Sequence, residues 1–125
     1  MRVQEFISII NGTVLNPSAD LSTEVSGCGA ADLMSDVLAS LQPATVLLTG
    51  LCNPQVIRTA QMADITAVVI VRGKNPALET IHLAETERIP LITTPMGMFE
   101  ACGRLYQAGL ICLEGPVVNE ECHNE

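Results

Sequence analysis

The stretch TVLLTGLCNPQVIRTAQMADITAVVIVRGKNPALETIHLAETERIPLITTP, residues 45–95, repeats one structural pattern three times. Short apolar runs rich in β-branched residues occupy residues 45–49, 67–71 and 89–93, which is typical of strands buried on both faces. A side-chain acceptor and then a proline follow each run, as is usual at the first residues of a helix. These pairs are Asn53-Pro54, Asn75-Pro76 and Thr94-Pro95. The stretch therefore predicts three successive strand–turn–helix units.

Such units fix the topology of the sheet. Closely spaced repeats of this kind force parallel strands joined by right-handed crossovers, so that the three helix N-termini lie along one edge of the sheet. We predict an α/β fold with three layers, a mainly parallel sheet of four or five strands flanked by helices. If the protein binds a ligand, we expect the site at the carboxyl ends of the strands.

The segments on either side complete this fold. Residues 1–10 carry apolar residues at helical spacing and predict a short helix, with a strand as the competing interpretation. The further predicted strands are residues 13–15, 23–26 and, at an edge, 110–113. Ser26-Gly27-Cys28-Gly29 is predicted to open a helix over residues 30–41, and the other helices are predicted at 54–63, 76–87 and 96–107. Residues 1–115 then form a single domain, and 116–125 an acidic mobile tail.

Composition limits the possible partners. The chain has six basic and 14 acidic residues, a formal net charge of −8, and only three aromatic residues, so nucleic acid is not an expected partner. No apolar run is long enough to cross a membrane, and we expect a cytoplasmic protein. A charged fraction of 16% beside 48% hydrophobic residues is low for an isolated domain, which predicts a homodimer or a protein partner.

The cysteines and His82 are interpreted as structural residues rather than as parts of a functional site. Five cysteines without a C-x-x-C pair are read as reduced thiols, mostly buried, rather than as a metal or iron–sulfur site. Cys112, Cys122 and His123 form a still looser set in or near the tail. His82, in the middle of a predicted helix, is expected to be partly exposed and paired with a carboxylate three residues away. No catalytic residue, metal ligand or cofactor is assigned.

The two tightest turns give the candidate ligand site. Gly50-Leu51-Cys52-Asn53 and Arg72-Gly73-Lys74-Asn75 lie where predicted strands meet predicted helices, and backbone N–H groups at such positions favour anions. Two cations add positive charge to an acidic protein. The candidate ligand-binding residues are Gly50, Asn53, Arg72, Gly73, Lys74, Asn75, Thr93 and Thr94. The competing interpretation is that the glycines relieve tight turns, the asparagines cap helices and the cations are ordinary surface charges.

A third glycine-rich segment resembles a phosphate-binding turn without completing it. In Gly27-Cys28-Gly29-Ala30-Ala31-Asp32 the third glycine of a G-x-G-x-x-G pattern is replaced by an aspartate. An acid at that position opposes phosphate, so flexible entry into a helix is the preferred interpretation.

Taken in order, these tracts resemble the DRTGG-domain family. The resemblance runs from about Thr13 to Tyr106 and includes Leu47-Leu48-Thr49-Gly50, the segment from Ile70 to Pro76 and the run from Ile89 to Thr94. The Asp-Arg position of the family's name-giving pattern falls near Cys52-Asn53, and its Thr-Gly-Gly is reduced to Val71-Arg72-Gly73. The resemblance implies an α/β domain similar to the N-terminal domain of HPr kinase/phosphorylase, found as an accessory or regulatory module, and it implies no catalytic activity.

Three functions are compatible with the sequence. The first is a non-enzymatic regulatory or interaction module that senses a small anionic metabolite or nucleotide at the strand C-termini. The second is a scaffold that docks a larger metabolic or redox enzyme and has no ligand of its own. The least favoured is an enzyme of acyl or phosphoryl transfer, because no nucleophile is tied in sequence to a base.

Overall fold

Helices and strands alternate along residues 1–116, the part of the chain that the computed structural model describes, except that two strands follow each other at residues 13–14 and 27–30. The acidic tail predicted at 116–125 lies, apart from Pro116, outside the described residues. In chain order the elements are α1 (Val3–Ile9), β1 (Thr13–Val14), β2 (Gly27–Ala30), α2 (Met34–Ser40), β3 (Thr45–Thr49), α3 (Pro54–Met62), β4 (Ala67–Ile70), α4 (Leu78–Glu87), β5 (Leu91–Thr93), α5 (Met98–Gln107) and β6 (Ile111–Cys112).

One sheet contains all six of these strands, in the order β1-β5-β4-β3-β2-β6. The five strands from β5 to β6 are mutually parallel, and only β1 is antiparallel, against β5. The predicted mainly parallel α/β fold is therefore confirmed. The strand count exceeds the predicted four or five because the short strands β1 and β6, two residues each, extend the two edges.

Helices cover both faces of the sheet. The core on one face joins α1 and α5 to the sheet through Phe6, Leu48 and Leu105, all fully buried. The core on the other face joins the remaining three helices to side chains such as Leu47, which points away from its neighbour Leu48. Because successive strand residues face opposite sides, a strand covered on both faces must be apolar at every position. This arrangement explains the uninterrupted apolar runs of the sequence and confirms the three layers.

The first part of the sheet differs from the prediction. The segment from Gly27 to Ala30 is strand β2, between β3 and β6, and does not open a helix. The strand predicted at 23–26 is reduced to a single bridge between Glu24 and Arg2. Glycine at 27 has a packing reason, since a Cβ there would collide with the carbonyl oxygen of Ile111 in β6. The interpretation of this glycine pair as a flexible helix entry was wrong.

Only one of the three predicted helix starts is confirmed. Asn53 caps α3, with its Oδ1 accepting a hydrogen bond from the Gln55 backbone N–H at 3.1 Å, and Pro54 is the first helical residue. Helix α4 starts two residues after Pro76, and α5 three residues after Pro95, with Ala77 and Gly97 as their N-caps. Asn75 and Thr94 therefore do not cap helices. The three helices still begin on the carboxyl side of β3, β4 and β5, as predicted.

The N-terminal segment holds both ends of β5. The buried Asn16 side chain donates to the Ile89 carbonyl at 2.7 Å and accepts from the Leu91 N–H at 2.9 Å. At the other end, the Thr94 hydroxyl donates to the Ile10 carbonyl at 2.6 Å. These bonds satisfy buried polar groups that would otherwise be costly, and they fix where β5 begins and ends.

Within residues 1–116 every helix is too short or too polar to span a lipid bilayer.

Candidate functional site

A carboxylate of the chain itself holds the turn after β3. Asp32 Oδ1 accepts hydrogen bonds from the Gly50 backbone N–H at 2.8 Å and from the Thr49 hydroxyl at 3.2 Å. The same Thr49 oxygen accepts from the Leu51 N–H at 3.2 Å. The N–H group that the sequence assigns to an external anion is thus already bound to an internal one.

The turn after β4 presents the two cations. Arg72 and Gly73 both adopt left-handed backbone conformations, with φ of 66° and 65°, which is unfavourable for arginine and easy for glycine. Two hydrogen bonds to the loop after β5 hold this turn. The Arg72 N–H donates to the Met96 carbonyl at 2.7 Å, and the Gly73 N–H donates to the Thr94 carbonyl at 2.8 Å. Lys74 Nζ then reaches back to the Gly50 carbonyl at 2.9 Å.

Three charged groups from two other loops converge over Gly50. A Cβ built on Gly50 would lie 3.5 Å from Lys74 Nζ and 3.6 Å from both Arg72 Nη1 and Asp32 Oδ1. The ion pairs found within residues 1–116 all lie elsewhere, at Glu24 and between Glu100 and Arg104. Because Arg72 and Lys74 are also exposed, their charges face solvent. We call Asp32, Gly50, Arg72 and Lys74 the Gly50 rim.

The rim contains some of the predicted site residues but not all. Gly50, Arg72 and Lys74 belong to it directly, Gly73 forms the turn between the two cations, and the Thr93 hydroxyl donates to the Lys74 carbonyl at 3.1 Å. The other three predicted residues lie outside it: Asn53 caps α3, Asn75 is exposed in the following turn, and Thr94 is buried against α1.

Sequence reasoning missed Asp32 as a member of this site. In the sequence Asp32 stands out only as the residue that breaks a phosphate-binding pattern. The signal was available, because Asp32 follows β2 just as Gly50 follows β3, and neighbouring parallel strands bring the residues after them to the same edge. That inference required recognising Gly27–Ala30 as a strand.

Three of the thiols line a separate groove between α5 and the β2–β6 edge. This α5 groove has a volume of about 300 Å³, and its walls include Cys28, Ala30, Cys102, Gly103, Leu110 and Cys112. Burial raises the pKa of the Cys28 thiol to about 11, with smaller contributions from Cys102, Cys112 and Glu114. Burial also raises the pKa of Cys102. These two thiols are therefore neutral at physiological pH and act as apolar lining.

The thiols do not assemble into a metal centre within the described chain. Residues 1–116 contain no cluster of three or more histidine, cysteine or acidic side chains arranged to hold an ion. Cys52 lies apart from the groove, with its Sγ 3.7 Å from the Gly50 carbonyl. Cys122 and His123 lie outside the described residues.

His82 is a surface residue of α4. Its side chain is exposed, and its backbone carbonyl accepts a bond from the Thr86 hydroxyl at 3.0 Å. Inside the described range no ion pair joins it to a carboxylate, so the predicted pairing is not formed there.

A comparison with solved structures identifies a related fold. The chain is similar to the crystal structure of the CBS and DRTGG domains of the regulatory region of Clostridium perfringens pyrophosphatase, complexed with the activator diadenosine tetraphosphate. The TM-score is 0.67 at 16% sequence identity, and the match covers 83% of this chain and 45% of the other. The present chain thus matches less than half of that regulatory region. No protein-family model matches the sequence, and no curated protein does.

At this identity the likeness establishes the fold. The predicted resemblance to the DRTGG-domain family fits it, because the matched region contains a DRTGG domain and the match extends over most of the present chain.

Proposed function

We propose that this protein is a non-enzymatic regulatory module that binds a small anionic metabolite or nucleotide at the Gly50 rim. The observation that supports it best is the convergence of Arg72 and Lys74 over Gly50 at the carboxyl edge of the sheet. Ligands of open parallel sheets bind at this edge. Two solvent-facing cations in a protein of net charge −8 also give a local attraction for anions.

The rim favours one class of anion over others. Asp32 occupies the Gly50 N–H, so the incoming anion binds through the two cationic side chains rather than through the turn backbone. A carboxylate next to the cations repels a bare anion, but it accepts a hydrogen bond from a hydroxyl group. A phosphate that carries a neighbouring hydroxyl, as in a nucleotide, satisfies both groups. The match to a regulatory region crystallised with a dinucleotide activator supports the same class.

Calorimetric titration of the full chain with nucleotides and acyl phosphates tests this proposal. The sharpest variant is Arg72→Gly, because glycine adopts the left-handed turn at least as well as arginine and only the cation is lost. Arg88 provides a matched control. It is also exposed and left-handed, with φ of 58°, and it ends α4 away from the rim.

We expect Arg72→Gly and Lys74→Met each to weaken binding by about tenfold or more, as the loss of one charge-assisted contact does. Arg88→Gly should bind as the unmodified protein does. Equal weakening by Arg72→Gly and Arg88→Gly would show a general charge effect, and absence of heat from the unmodified protein with every nucleotide and acyl phosphate would remove the proposal.

A scaffold without a ligand of its own is the second candidate, and one observation favours it. Phe99 and Tyr106 project from α5 with 94% and 71% of their surfaces exposed. Exposed aromatic side chains are enriched at protein interfaces. The scaffold predicts no thermal shift with any metabolite and co-purification with an enzyme, whereas the regulatory module predicts the shift.

A further inference from the structure

We propose that the α5 groove is an isologous interface, covered by α5 of a second copy of this chain. The distribution of aromatic residues points to this face. The sequence has two phenylalanines, one tyrosine and no tryptophan, and Phe6 is buried in the core. The other two, Phe99 and Tyr106, are both exposed and lie on one face of α5 with Gly103 between them, at the helical spacing i, i+4, i+7.

The same face carries a projection and a matching recess. Phe99 stands out almost completely exposed at one end of the groove. Gly103 leaves the middle of the groove open, since a Cβ built there would meet no atom within 4 Å. A small residue at the crossing point lets two helices approach closely, and glycine inside a helix otherwise lowers its stability. A two-fold axis near Gly103 therefore places each Phe99 ring into the recess of the other copy.

The charges beside the groove are self-complementary. Glu100 and Arg104 form an ion pair within α5, with Arg104 Nη2 3.0 Å from Glu100 Oε2. When two α5 helices cross antiparallel, Glu100 lies near the partner's Arg104, and the same contact is repeated on the other side of the axis. Two copies with a net charge of −8 repel each other overall, so a place where Glu100 and Arg104 offset each other's charge is favourable for contact, although Glu114 also lines the groove.

These features fit a second copy better than a small apolar ligand. Pockets for small molecules enclose the ligand and turn their aromatic side chains inward, whereas Phe99 here points into solvent. The apolar surface also continues past the groove to the sheet edge, where Ile111 of β6 is 57% exposed. Binding of an anion at the Gly50 rim plays no part in this argument.

Sedimentation of the full chain over a range of micromolar concentrations tests the interface. We expect a concentration-dependent dimer, and we expect Phe99→Asp to weaken it by about tenfold or more, because a carboxylate would be buried in an apolar recess. Met62→Asp is the matched control. It introduces the same charge at another exposed apolar residue, on α3, and should leave the dimer unchanged.

Two further experiments separate the interface from effects on folding. Gly103→Leu fills the recess at a position with free space inside one copy, so a folded monomer is expected. Glu100→Arg and Arg104→Glu should each weaken the dimer, and the double variant should restore it.

The proposal is overturned if the unmodified protein is a monomer at the highest concentration, or if Phe99→Asp and Gly103→Leu leave the dimer intact. It is also overturned if the double charge variant dimerises no more strongly than the single charge variants. A small apolar molecule found in the groove by native mass spectrometry would also overturn it. Anion titration of folded Phe99→Asp should match that of the unmodified protein, so the two proposals can fail separately.

Discussion

The Gly50 rim and the α5 groove both contain a glycine, and the two glycines have opposite surroundings. A Cβ on Gly50 would be in van der Waals contact with charged groups of two other loops, whereas one on Gly103 would contact nothing. The first glycine lies among neighbours of the same chain. The second, in the interior of a helix, leaves a space that no described part of the chain uses. The comparison separates a glycine that its own chain surrounds from a glycine that is better explained by something outside the chain.

Gly27 should give the largest effect, because it is the extreme case of a glycine that the chain itself requires. A Cβ at this position collides with the Ile111 backbone oxygen and would lie 2.8 Å from Leu113 Cγ, so β6 must move away from β2. We expect Gly27→Ala to lower the free energy of unfolding by about 3 kcal/mol. Urea unfolding of the variant and the unmodified protein measures this loss. A loss as small as that of an exposed surface substitution would show that β6 contributes little to the free energy of unfolding.

The thiol in the wall of the groove should make stability depend on alkaline pH. Burial raises the pKa of Cys28 from 9.0 to about 11, so between these values the unfolded chain loses the proton while the folded chain keeps it. The contribution of the protonated Cys28 thiol to the free energy of unfolding is therefore fully present below pH 9, and it is lost as the pH rises toward 11. Because the thiol is partly exposed, we expect a loss of about 1 to 1.5 kcal/mol.

Thermal unfolding from pH 8 to 11 measures this effect, with Cys28→Ala as the control for other groups that titrate there. The control should lose less stability than the unmodified protein over this interval. Parallel curves for the two proteins would contradict the assignment.

Gly103→Ala tests whether the glycine of the groove is needed for the fold of one copy. Alanine is the better helix former and its methyl group meets no neighbour within one copy, so we expect the monomer to gain about 1 kcal/mol. The measurement uses chemical unfolding in the Phe99→Asp background, where the proposed dimer is absent. A destabilised monomer would mean that Gly103 is needed within the fold, as Gly27 is.

Lys74→Met should give the smallest change in stability. It removes one partly buried hydrogen bond to the Gly50 carbonyl, for which we expect a loss of about 0.5 kcal/mol. The same variant should weaken anion binding by about tenfold or more. A substitution at the rim would then have a large effect on ligand binding and a small one on folding. Calorimetric unfolding and ligand titration on one sample give both values, and a loss as large as that of Gly27→Ala would make Lys74 a structural residue.

The sequence predicted the central units of the fold better than its edges. The apolar runs that contain β3 and β4 and the capped start of α3 depend on neighbours within a few residues, and all are confirmed. Strand β2 was missed because Gly27 and Gly29 look like a flexible turn locally. They belong to a strand because all four residues of β2 pair with β3, and Gly27 also pairs with β6, more than eighty residues later in the chain.

The same limit applies to the polar residues near the rim. Thr94 followed by a proline looks like a helix cap, but its hydroxyl bonds to Ile10, a partner that no local pattern reveals. Asn75 fails as a cap because the left-handed turn at Arg72 is tied to the loop after β5, and helix α4 begins only after Pro76. The two cations were found from sequence since they follow a strand directly, whereas Asp32 depended on a strand that was not recognised.

The bonds from Asn16 and Thr94 have a practical consequence for anyone who shortens this protein. The repeating units begin only at residue 45, so a fragment starting there looks self-sufficient on paper. Yet strand β5 would lose the side-chain amide that holds its first residues and the carbonyl that anchors its last, both supplied by the first sixteen residues. The smallest fragment that can be expected to fold therefore includes residues 1–16.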